Sequence, residues 1–198
     1  MEKTDILGNT LPTLEVKIKK TKYTLLPPKY SFIKKFMAVS NKILATENLT
    51  ENDILTFLDF LIEILSCNAE NKKVSFKKIK KCSFNELLDI LINYSQFLKN
   101  ISDNPDCKLP YYPEEDSDEG YSYDVPTFYE NLISKYTNLS LINVMELNYV
   151  DYLILKKNAF IHCLKQTKDG RDYLEKAYCL EQEKPDRAAL RAQFGNSL

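Results

Sequence analysis

Residues 50–67, Thr-Glu-Asn-Asp-Ile-Leu-Thr-Phe-Leu-Asp-Phe-Leu-Ile-Glu-Ile-Leu-Ser-Cys, constrain the fold more than any other stretch of the chain. Thr50 followed three residues later by Asp53 is a capping signal, because a short hydroxyl accepts an orphan N–H of a first helical turn and the carboxylate answers back. The spacing predicts a helix over about 51–67. Ile54, Leu58, Leu61 and Leu65 fall on one stripe, Leu55 and Ile62 widen it, and Phe57, Phe60 and Ile64 lie on other faces. A helix with so few polar positions must be nearly surrounded, by its own domain or by a partner.

The other apolar positions repeat with a helical period, with one exception. Leu14, Val16 and Ile18 alternate against charges before a polar turn and a second short run ending at Leu26, which is the pattern of a β-hairpin. Pro27 and Pro28 end it and precede a helix carrying Phe32, Ile33, Phe36, Met37, Val39, Ile43 and Leu44. Ser83, three residues before Glu86, is a second capping box and opens a helix to about Ile101. Further on, amphipathic segments run over 126–136, after Ser140, and over 149–164 behind an Asn148 cap. A helix follows from Thr167 to about Glu181, and a last one is opened by Pro185 and stopped by Gly195. Four glycines and no tryptophan leave little material for tight β-turns.

Between Ser102 and Pro126 the composition shifts to proline, tyrosine and the acidic run Glu114, Glu115, Asp116, Asp118 and Glu119, too little apolar area to offset its ordering entropy. The expected architecture is mainly α. An N-terminal α+β module over 1–101, a short β-hairpin plus helices, is joined by an acidic linker over 102–126 to an all-α C-terminal module over 127–198.

The function classes narrow by exclusion. A net charge of −1 supplies no global field toward nucleic acid or acidic lipid. No apolar stretch of signal-peptide or membrane-spanning length is present, so the expectation is a protein that is not secreted, does not enter membranes and stays in the cytoplasm. Five cysteines without a C-x-x-C pair fit neither a disulfide framework nor a zinc site. His162 and Cys163 are neighbours and so point about 100° apart on a helix, a poor dyad. Phosphate-cradling and nucleophile-elbow motifs are absent. The expectation is a chain that is not an enzyme and takes neither metal nor cofactor.

Two groups of residues remain as binding candidates. Phe57, Phe60 and Ile64 form a partner-binding surface if the 51–67 helix exceeds what its own domain hides, and core if it does not. Lys72, Lys73, Lys77, Lys78, Lys80 and Lys81 form a candidate basic patch for phosphate, with the alternative of a solvated segment between helices. The tyrosines at 111, 112, 121 and 123 could form a recognition segment that orders on a partner.

The strand pair at 14–26, the run Asp53-Ile-Leu-Thr-Phe-Leu-Asp-Phe-Leu-Ile-Glu-Ile-Leu, the basic gap and Ser83-Phe-Asn-Glu-Leu-Leu-Asp-Ile-Leu together resemble the N-terminal domain of the tail assembly chaperones of long-tailed bacteriophages. Phe128-Tyr-Glu-Asn-Leu-Ile-Ser-Lys-Tyr and Leu141-Ile-Asn-Val-Met-Glu-Leu-Asn-Tyr-Val-Asp-Tyr-Leu resemble the C-terminal extension of the long form, although Thr137-Asn138-Leu139 stands where that extension often carries Gly-Trp. The resemblance implies a non-catalytic factor in the host cytoplasm that keeps the tape measure protein soluble and recruits tail tube protein, with self-association open. The competing expectation is a small nucleic-acid-binding or regulatory protein using residues 72–81.

Overall fold

A computed structural model describes residues 3–45, 50–69, 74, 76–112 and 125–182. The hairpin forms as the alternation predicts: β1 (Leu14–Ile18) pairs antiparallel with β2 (Thr21–Leu25), Val16 opposite Tyr23 and Ile18 opposite Thr21. Val16, Ile18, Tyr23 and Leu25 all face the core. Its two-residue turn puts Lys19 at φ 53°, the left-handed region, and the Lys19 ammonium then reaches Glu86 at 3.1 Å.

Eight helices follow among the described residues: α1 (Tyr30–Ala45), α2 (Glu51–Ser66), α3 (Phe76–Ile79), α4 (Phe84–Ser102), α5 (Phe128–Thr137), α6 (Leu141–Glu146), α7 (Tyr149–Lys165) and α8 (Lys168–Gln182). Both predicted capping boxes are made, Thr50 with Asp53 at α2 and Ser83 with Glu86 at α4. Asn148 caps α7 by accepting the Asp151 N–H at 3.0 Å. α5 ends on Asn138 at φ 60°, a left-handed cap that asparagine tolerates. α7 turns into α8 so tightly that a Cβ on Gly170 would meet the Leu164 carbonyl oxygen at 2.2 Å, so only glycine fits there. The helix expected at 185–195 lies outside the described residues.

One departure lies in the basic stretch. It contains the one-turn helix α3, whose Ile79 is fully buried and pins the lysines to the fold.

The core is aromatic. The Phe32 and Phe60 rings stack at 5.2 Å, Phe36 lies 5.5 Å from Phe60, and Tyr94 meets the Phe36 ring edge-on at 5.5 Å. Tyr94 is fully buried and its hydroxyl has no hydrogen-bond partner among the described residues. Burial, with Cys67 nearby, pushes that phenol well above its ordinary range. An unsatisfied buried hydroxyl costs about 1–3 kcal/mol. Tyr94→Phe is therefore expected to raise stability by about 1 kcal/mol in urea titration, and a loss of that size would mean that the hydroxyl is partnered in solution.

A single buried cluster takes in residues from Leu11 to Ala159 and so spans both expected modules. The join is made of backbone as well as side chains. Tyr30 N–H donates to the Leu147 carbonyl and Tyr149 N–H to the Pro28 carbonyl, each at 2.8 Å, so α1 and α7 start from one bridge. Residues 102–112, expected as the head of a linker, fold in as well: Cys107 is buried, and Tyr112 packs edge-on against Tyr173 of α8. Residues 113–124 lie outside the described residues.

Candidate interaction surface

Phe57, Phe60 and Ile64 are 1%, 2% and 0% exposed. This corrects their reading as a partner-facing surface. α2 lies between the aromatic side chains of α1 on one side and α4 on the other, with Phe60 against Phe32 and Phe36 and Phe57 against Phe84. The faces carrying Phe57, Phe60 and Ile64 are covered by the fold itself, whereas Ile54 and Leu55 in the first turns of α2 are exposed.

Of the basic residues, Lys72 and Lys73 lie outside the described residues. Lys77, Lys78, Lys80 and Lys81 are exposed on α3 and the turn after it. Lys78 donates to the Thr21 hydroxyl at 3.2 Å, and Lys80 sits 4.7 Å above the Phe76 ring. Lys77, Lys80 and Lys81 have no carboxylate partner among the described residues.

His162 and Cys163 are both exposed. The imidazole lies beside the Tyr136 ring at 5.3 Å and near the Gln166 amide. Among the described residues no group of three or more His, Cys, Asp or Glu side chains is arranged to hold a metal ion, and no helix is long and apolar enough to cross a membrane.

Among the described residues, one ion pair with a buried carboxylate joins the two halves. Glu130 on α5 is 4% exposed and its carboxylate accepts from the Tyr30 hydroxyl at 2.8 Å and from the Lys34 ammonium at 2.6 Å, both on α1. Burial pushes the Glu130 carboxyl up, but Lys34, a backbone N–H and Tyr30 outweigh it and hold the group below its ordinary value. Burial and the adjacent carboxylate push the Tyr30 phenol up to about 12. The Tyr152 ring stacks on Tyr30 with centroids 3.4 Å apart, and burial raises its phenol too. Nearby, Lys156 lies 4.0 Å over the Tyr129 ring and burial lowers its ammonium. Nothing in the sequence marks Glu130 off from the solvent-facing glutamates of other amphipathic helices.

Exposed apolar side chains occur on several elements, among them Met37 on α1, Ile54 and Leu55 on α2 and Tyr178 on α8, and two groups of them stand in different halves of the chain. On α4, Phe84 is 41% and Ile92 54% exposed, with half-buried Leu88 between them at i+4 spacing. Phe84 leans on Phe57 with ring centroids 6.0 Å apart. In the C-terminal half, Val125 and Phe128 flank a groove completed by Leu132, Asn131 and Lys135. Leu141 and Ile142 at the start of α6 are also exposed, Ile142 at 76%. The 84-88-92 spacing is legible in the sequence, but periodicity alone assigns Phe84 and Leu88 to the core face. No family model, no curated protein and no solved structure matches the chain.

Proposed function

We propose that this chain is a non-catalytic tail assembly chaperone of a long-tailed bacteriophage, acting in the host cytoplasm to hold the tape measure protein in solution and to bring tail tube protein to it. The reading rests on the resemblance of the two halves to that family. The observation that carries it is the pair of exposed apolar areas, one on α4 and one on α5 and α6, in different halves of a single packed body. Scattered apolar side chains are ordinary on any surface, whereas three aligned on one helix form a strip that a partner helix can cover. Two such areas suit a protein that engages two partners.

The binding surface for the tape measure protein is accordingly assigned away from Phe57, Phe60 and Ile64 and onto exposed side chains. A tagged chain, purified from producing cells during phage growth at low and high salt, is expected to carry a long helix-rich protein at both salts. Apolar contact persists as salt rises, whereas phosphate contact weakens steeply. Recovery of nucleic acid that salt releases, without a protein partner, would replace this reading with that of a nucleic-acid binder working through Lys77–Lys81.

A further inference from the structure

We propose that the flank of α4 carrying Phe84, Leu88 and Ile92 docks an acidic amphipathic helix of a partner protein. The inference rests on the reading of the chain as a binding protein and adds the surface and the chemistry of what it takes. At 100° per residue Lys99 lies on the same line, between the directions of Leu88 and Ile92. The apolar part of the line runs about 12 Å from Phe84 to Ile92, and with Lys99 the line extends about 22 Å, the span of about 15 residues of a facing helix.

Both ends of the line are basic. Lys77, Lys80 and Lys81 sit immediately before α4, where the helix dipole adds positive potential, and Lys99 closes the far end. None of the four has a carboxylate partner among the described residues. Glu86 is turned away from the line and occupied by Lys19, and Asp89 stands on the adjoining face. An apolar strip between cations that have no carboxylate partner among the described residues is matched by a helix with an apolar stripe and acidic flanks.

The same features argue against other occupants. A second copy laid antiparallel on this flank would set Lys77–Lys81 of one chain against Lys99 of the other, like charge on like. A nucleic acid strand would use the lysines but leave Ile92 and Leu88 without a role, and residues 72–99 contain no arginine to stack on bases.

The test is fluorescence anisotropy with the full chain and three labelled probes. The first is a peptide of about three heptads with leucine at a and d, glutamate at e and g and alanine elsewhere. The second has lysine in place of each glutamate, and the third is a mixed-sequence single-stranded oligonucleotide. The acidic peptide is expected to bind at least about tenfold more tightly than its lysine counterpart. Ile92→Asp, and separately the triple change Lys77→Glu, Lys80→Glu and Lys81→Glu, should each weaken it about tenfold with far-UV circular dichroism unchanged.

Equal affinity for the two peptides, binding that neither variant alters, no anisotropy change, or tighter binding of the oligonucleotide would overturn the proposal. So would Ile92-dependent dimers in light scattering, which assign the flank to a second copy. Acidic-peptide binding by a chain that captures no tape measure protein leaves this docking line standing and removes the phage reading. The reverse pair of results removes the docking line alone.

Discussion

Phe57→Glu is expected to abolish cooperative unfolding of this chain at 25 °C. The side chain is 1% exposed and touches Phe84 across the α2–α4 contact, so a glutamate there forfeits aromatic packing and must either bury a carboxylate or open the core. Loss of a buried phenylalanine alone costs about 3–5 kcal/mol. An unpaired buried charge adds several more, together about the whole stability of an ordinary domain of about 5–15 kcal/mol. Thermal melts by circular dichroism would then lose their sigmoid, while Ile142→Glu, at a 76% exposed site, should melt within about 0.5 kcal/mol of the parent. A folded Phe57→Glu chain that had lost its partner would return Phe57 to a binding surface and contradict the core described above.

The second large effect is expected at the ionic cluster between α1 and α5. Lys34→Met removes the cation from a nearly buried Glu130, leaving Tyr30 and a backbone N–H as its hydrogen-bond donors and Lys156 as the nearby positive charge. Removing one member of a buried pair costs about 3–5 kcal/mol. The Lys34 side chain is 46% exposed, so solvent screening reduces the expected loss to about 2 kcal/mol at pH 7.

The pH dependence fixes the sign. In the parent, the folded Glu130 carboxyl lies below its unfolded value, so its contribution is present above the unfolded pKa and fades as pH falls through the folded one. In the variant the lowering by Lys34 is gone and burial counts for more, so the folded carboxyl moves up. The stability gap between parent and variant should therefore narrow on acidification from pH 7 to about pH 3.5. In a Glu130→Gln background Lys34→Met should cost little, as the double-mutant cycle requires. A gap of constant size across that range would show that Lys34 acts through packing of its methylenes and not through its charge.

Much of the local structure was legible because its causes are local. Thr50, Ser83 and Asn148 cap their own helices through bonds that span three residues, and Leu14, Val16 and Ile18 alternate in a ribbon that closes on the next run. Four-residue α3 is too short for periodicity to reveal, and only the burial of Ile79 makes sense of it. The role of Phe57, Phe60 and Ile64 was open for a different reason. An all-round apolar helix states that it is covered but not by what, and the answer lies in aromatic side chains from both α1 and α4.

The packing of the two halves was illegible for the same reason. A boundary at 102–126 follows from composition, yet Tyr30 meets Glu130 across 100 residues of sequence, a pairing that no window contains. On α4, Phe84 reads as core from helical periodicity and turns out 41% exposed, because the buried face is centred on Ile90, Tyr94 and Ile101 instead.

The shared start of α1 and α7 bears on the order in which a ribosome delivers this chain. Residues up to 112 emerge first, with Tyr30 and Ile101 made but their covering helices still unwritten. At about 5–20 residues per second α7 arrives on the order of several seconds later, long compared with the folding of a helical unit. The nascent first half must wait with that seam open, and any shorter product ending before α5 would keep it open for good. Synthesis thus runs from an incomplete N-terminal half to a closed body, with Tyr152 of α7 covering Tyr30 and Tyr173 of α8 meeting Tyr112 only after the first half has left the ribosome.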